Sequence, residues 1–218
     1  MNASASPSTV SSKDAAAGGT SRPPRRLRWR IVDIVVASVL GVASGLIFLL
    51  WNIGYLGPKA ILEPLLPGLQ GLLDGPWLFA GVLGALIIRK PGAALYTETL
   101  AAVVSALVGN QWGGFLTLEA GLVQGLGAEL IFLLFFYRVW SLPVAMLAGA
   151  GAAIAGGINN LILWYAGADT PFSVIYLIST AISGAVIAGA LSWFLARGIA
   201  ATAALDRFAS GRERRELV

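Results

Sequence analysis

The chain has 218 residues, 57% of them hydrophobic and 12% charged, with a formal net charge of +4. A soluble domain usually carries roughly 25% charged residues, so this chain is too poor in charge to cover a water-exposed surface. It contains no Cys and no His, which excludes disulfides and cysteine nucleophiles and removes the commonest metal ligand and general base.

Apolar blocks of about 18 residues or more read as bilayer spans, and they organise the chain. Residues 1–30 form an N-terminal tail rich in Ser, Ala, Gly and Pro. It has no apolar run, so it reads as disordered and not as a cleaved signal peptide. The tail ends in the basic cluster Arg25, Arg26, Arg28 and Arg30, an anchor for anionic lipid. The first span runs from Ile31 to Trp51. A long apolar connection, Asn52 to Gly75, carries Pro58, Pro64 and Pro67 and is expected to lie in the interface or fold over the bundle. The second span covers Pro76 to Ile88, with an earlier start at Leu69 left open. After the turn Arg89-Lys90-Pro91-Gly92 the third span covers Ala93 to Val108. The turn at residues 109–114 leads to the fourth span, Phe115 to Tyr137. The fifth runs from Leu142 to Tyr165 and the sixth from Phe172 to Ala196, and residues 197–218 form a polar C-terminal tail.

The predicted fold is an all-α integral membrane protein, a six-transmembrane-helix bundle over residues 31–196. Six spans put both termini on one side. Fourteen of the fifteen Lys and Arg residues then share that side, and Lys59 alone lies opposite. The positive-inside rule makes the crowded face cytoplasmic.

Polar residues within spans are costly and usually face the bundle interior. Counted at about 1.5 Å per residue, Glu119, Asn159 and Asn160 fall in an outer layer, roofed by Asn110, Gln111, Trp112, Trp164 and Tyr176. Gln124 is near mid-membrane, and Glu98 and Glu129 lie deeper. The outer layer reads as a pocket open to the outside. Indoles stack on flat rings and attract positive charge. An Asn amide matches an aminopyrimidine edge. The alternative is that the Trp residues are an interfacial belt and the Asn pair bonds neighbouring helices. Glu129 is expected to be structural, while Glu98 is undecided between helix bonding and a proton path.

Ala37, Gly41 and Gly45 recur every four residues on the first span. Such a smooth stripe lets another helix approach, and it is the candidate docking face for a partner subunit. No GxxxxGK[ST] sequence occurs, so no nucleotide site of that kind is present. No catalytic residue, metal, cofactor or nucleic-acid partner is expected.

The stretch Ile87-Ile88-Arg89-Lys90-Pro91-Gly92-Ala93-Ala94, then Glu98, then Gly109-Asn110-Gln111-Trp112-Gly113, then Gln124-Gly125-Leu126-Gly127-Ala128-Glu129 resembles the YkoE family. These are substrate-binding S-components of energy-coupling factor (ECF) transporters. The resemblance spans about Ile31 to Ala196. It implies a bacterial plasma-membrane protein that captures thiamine or its hydroxymethylpyrimidine precursor near the outer face. It also implies a transmembrane coupling subunit and two cytoplasmic ATPases as partners. Glu98, Asn110, Trp112, Gln124 and Glu129 are the polar positions inside the matching motifs. Glu119, Asn159, Asn160 and Trp164 join the candidate substrate site on the depth argument. Two rivals remain: a stand-alone proton-coupled transporter using Glu98 and Glu129, and an intramembrane enzyme, for which no constellation exists.

Overall fold

The computed structural model describes residues 27–202 and residue 208. The expected disordered tail up to residue 26, with Arg25 and Arg26, and the C-terminal tail after residue 202, Phe208 apart, lie outside the described residues. The described residues contain helices and no strands: α1 (Ile31–Gly54), α2 (Leu56–Leu65), two tight 3-10 turns (Leu69–Leu73 and Gly75–Trp77), α3 (Phe79–Ile88), α4 (Ala93–Val108), α5 (Gly114–Leu134), α6 (Leu142–Leu163) and α7 (Thr170–Ala201). Four of these, α1, α5, α6 and α7, are long and apolar enough to cross a membrane.

The second and third expected spans are shorter. The ten residues of α3 are all buried. At 1.5 Å per residue the helix is about 15 Å long. Its sequence FAGVLGALII is apolar on every side, the pattern of a helix enclosed by others. The stretch ahead of it folds as 3-10 turns, since Gly68, Gly71, Gly75 and Pro76 break a longer helix. Part of the expected connection is also helical: α1 continues to Gly54 and α2 follows at once.

The stripe assigned to a partner subunit is used inside the bundle. Ala37, Gly41 and Gly45 are buried. A Cβ on Gly41 would stand 3.0 Å from Leu100, and one on Gly45 2.6 Å from Val104 and 2.7 Å from the Ala101 carbonyl. All three neighbours belong to α4. The smooth face lets α4 approach, and the side of α1 left exposed is Ile31, Val35, Val39, Leu46, Leu50 and Ile53.

The α6–α7 crossing is tighter. Gly149 and Gly184 meet backbone to backbone, and a Cβ on either would overlap the other's carbonyl oxygen. At this crossing α7 widens into a π-helical stretch, Gly184–Leu191. Gly149→Ala is expected to cost about 1–3 kcal/mol, the usual range for overpacking. Gly198→Ala, which meets nothing within 4 Å, costs none. Thermal unfolding of the two variants in detergent checks the difference.

Two carboxylates hold one end of the bundle. Glu129 on α5 accepts from the N–H groups of Gly92 (2.6 Å), Ala94 (2.9 Å) and Leu95 (3.3 Å) and from the Tyr137 hydroxyl (2.7 Å). It therefore caps the start of α4, where backbone N–H groups lack helical partners. Asp33 is fully buried in the first turn of α1. It accepts from the Lys90 ammonium and from the Arg30 guanidinium (3.1 Å). Lys90 also donates to the Arg28 carbonyl (2.7 Å), and the Trp29 indole to the Pro91 carbonyl (2.8 Å). The RKPG turn, with Arg89 and Gly92 at positive φ, is thus tied to both α5 and the entry to α1.

Candidate functional site

At the opposite end of the bundle lies a cavity of about 320 Å³. That is the size of a site for one small molecule. Its wall comes from α1, α2, α4, α5, α6 and α7 and from the turns between them. The end of α1 gives Phe48, Asn52 and Tyr55, and α2 gives Lys59. The 3-10 turns give Gln70, Leu73, Asp74 and Trp77. Ala102 and Ser105 come from α4, and Trp112 from the turn before α5. The first half of α5 gives Leu116, Thr117, Ala120, Gly121 and Gln124. Asn160 and Trp164 close the side of α6, followed by Tyr165, and Tyr176 that of α7.

The aromatic residues form a connected wall. Trp77 stands edge-on to Tyr55 (centroids 5.1 Å) and to Trp112 (6.3 Å), and Trp112 meets Trp164 (5.7 Å). The wall is fixed by hydrogen bonds, as buried indole N–H groups require partners. The Trp77 indole donates to Asn52 Oδ1 (2.7 Å), and Asn52 Nδ2 donates to Ser105 Oγ (3.2 Å). One buried amide thus ties α1, α4 and the second 3-10 turn together.

A polar relay lines the same cavity. Asn160 Nδ2 donates to the Tyr176 hydroxyl (2.8 Å), which donates to Asp74 Oδ2 (2.7 Å). The Tyr176 hydroxyl therefore has both its donor and its acceptor role fixed, and the relay aims one carboxylate at the hollow. Asp74 sits between the two 3-10 turns, outside the helices. Burial pushes its carboxyl upward, opposed by the bond from Tyr176. The loop that carries it is pinned by Ser183: the Gly75 N–H donates to Ser183 Oγ (3.0 Å), and Ser183 Oγ donates to the Leu72 carbonyl (2.6 Å). Gln70 accepts from the Gly68 N–H (2.9 Å), while its buried Nε2 makes no well-formed hydrogen bond and neighbours the Tyr165 hydroxyl.

Among the residues expected from sequence, Trp112, Gln124, Asn160 and Trp164 line this cavity. The other four stand behind or below it. Asn110 bonds Thr117 (3.0 Å) and receives the Trp112 N–H (3.0 Å), so it shapes the turn that presents Trp112. Glu119 receives the Asn159 amide (2.8 Å), a clasp between α5 and α6. Glu98 receives the Gly81 N–H in the first turn of α3 (2.6 Å), and its Oε1 is buried without a partner. Depth along a helix predicts height but not direction. Successive residues are 100° apart, and here Asn160 and Ala120 face the cavity while Asn159 and Glu119 meet each other between α5 and α6.

Sequence reasoning passed over Asn52, Gln70, Asp74 and Trp77. The signal for Asp74 was present: it is the one acid in the apolar run from Leu66 to Leu78. The sequence places Asp74 in the connection that ends at Gly75, although a span start at Leu69 is left open, and an acid in a connection is unremarkable.

Residues 32–155 match the family described as "ABC-type cobalt transport system, permease component". The chain is 38% identical over 192 residues to the "Putative HMP/thiamine permease protein YkoE" of Bacillus subtilis (strain 168), covering 85% of this chain and 92% of that one. It is also similar to a solved structure titled "Crystal structure of an S-component of ECF transporter", at 36% identity and a TM-score of 0.79, covering 87% of this chain and 94% of the other.

Proposed function

Because the chain belongs to the YkoE family, whose matched relatives are transporter components and not enzymes, we propose that it is the substrate-capture subunit of an ECF-type importer, binding thiamine or its hydroxymethylpyrimidine precursor from outside a bacterial cell. In this reading α1 and α3 to α7 make six crossings, both termini are cytoplasmic, and the cavity end faces outward. Residues 1–30 and 197–218 are tails on a transmembrane domain of residues 31–196. A transmembrane coupling subunit and two ATPase subunits supply the energy.

The observation that carries the reading is one carboxylate held against an aromatic wall in a small cavity. Asp74 balances a ring cation or accepts from an exocyclic amino group. Asn160 and Gln124 read polar ring edges, and Trp112 and Trp164 cover the ring faces. Asn110, Glu119 and Asn159 position these groups, and Glu98 holds α3 beneath them. The lining fits a cobalt ion poorly. It offers a single carboxylate among the described residues and no imidazole or thiolate, the donors that such ions favour.

Calorimetric titration of the purified chain with thiamine and with hydroxymethylpyrimidine is expected to give saturable binding of at least one. Heat from neither would remove the assignment. A stand-alone proton-coupled transporter is less well supported, since the Glu129 carboxylate already serves four donors and so makes a poor relay.

A further inference from the structure

Charge in the cavity wall has two poles. Among the described residues lining it, Asp74 is the one acid and Lys59 the one base. They come from different elements. Asp74 sits ahead of α3 and is held by Tyr176 from α7. Lys59 sits on α2, one turn after Tyr55, whose carbonyl receives its backbone N–H (3.0 Å). None of the ten residues of α2 is fully buried, and Ile61 and Leu65 are exposed. Lys59 is half-covered because its side chain reaches the hollow. It makes no ion pair among the described residues, although Glu63 follows one turn later on the same helix. It is also the one cation of fifteen that the span pattern leaves away from the cytoplasmic side.

A ring ligand whose amino group or cation meets Asp74 leaves the Lys59 ammonium unmatched. A permanent cation with no anionic substituent is repelled by it. An ammonium on a flexible stem is a general partner for a phosphate group. We propose that the cavity accepts the phosphate monoester of its ring ligand, with Lys59 as the residue that selects it. This rests on the capture reading above. In that arrangement the ring lies along the indole wall with its amino edge at Asp74, and the ester reaches back toward α2.

The test is titration of the full-length wild-type chain, Lys59→Gln and Lys59→Glu with thiamine and with its phosphate monoester. A charge-assisted hydrogen bond contributes about 1.5–3 kcal/mol, so Lys59→Gln should weaken the ester about 10- to 100-fold. Lys59→Glu should weaken it further. Thiamine itself should bind more tightly to Lys59→Glu, because a like charge becomes an opposite one. Opposite shifts for the two ligands cannot come from a damaged fold, which would weaken both. The proposal is overturned if both ligands shift by the same factor, or if the wild type fails to bind the ester at concentrations where thiamine saturates. If the wild type binds neither, the same three chains are titrated with hydroxymethylpyrimidine and its phosphate monoester and judged by the same criteria; binding of none of the four compounds removes the capture reading, and this inference falls with it.

Discussion

Asp74→Asn is expected to weaken thiamine binding about 10- to 100-fold. The substitution keeps the size and shape of the side chain and removes its charge. The new amide still accepts from the Tyr176 hydroxyl through its remaining oxygen, so the Asn160–Tyr176 relay can persist. What is lost is a charge-assisted contact, worth about 1.5–3 kcal/mol. Tyr176→Phe removes the positioning bond but keeps the charge, so it should cost less. Glu119→Gln, whose carboxylate is clasped by Asn159 outside the cavity lining, should cost least. That order separates the lining from its support, and one calorimetric series reads it.

The pH dependence has a definite sign. Burial raises the Asp74 carboxyl above the ordinary carboxylate range. A cation requires the ionised form. Lowering the pH therefore protonates Asp74 earlier than an exposed Asp, and binding of thiamine weakens as pH falls through that raised value. Asp74→Asn should flatten this limb of the profile.

Glu129→Leu is expected to be the most destabilising of the substitutions considered, at about 3 kcal/mol or more. It deprives three backbone N–H groups and the Tyr137 hydroxyl of their acceptor at once. A buried donor left unsatisfied costs about 1–3 kcal/mol, and the effects of neighbours do not simply add. Glu129→Gln keeps one carbonyl oxygen and should fall between wild type and Leu. Ligand affinity of the folded fraction should change little, since the cap lies at the end of the bundle away from the cavity. Thermal midpoints in detergent, measured with and without ligand, separate the two effects.

Much of the architecture was legible because lipid as solvent writes long apolar blocks into the sequence. The helices α1, α4, α5 and α6 lie close to their expected limits. The region from Asn52 to Trp77 was not legible. Its glycines and prolines announce breaks, but which turns they make depends on Ser183 and Tyr176, more than a hundred residues away. That is why Asp74 was missed. Asp33 was missed for a related reason: an acid at a span end reads as solvated, whereas Lys90, from a distant turn, buries it. The Ala37, Gly41 and Gly45 stripe shows the limit of small-residue patterns. They announce that a helix will approach without naming it, and here the helix is α4.

The most direct measurement is an experimental structure of the chain with thiamine bound. The ring system should lie between Trp112, Trp164 and Asp74, with a ligand nitrogen within hydrogen-bond distance of the Asp74 carboxylate. Thiamine seated elsewhere, with Asp74 still bonded to Tyr176 alone, would contradict this account.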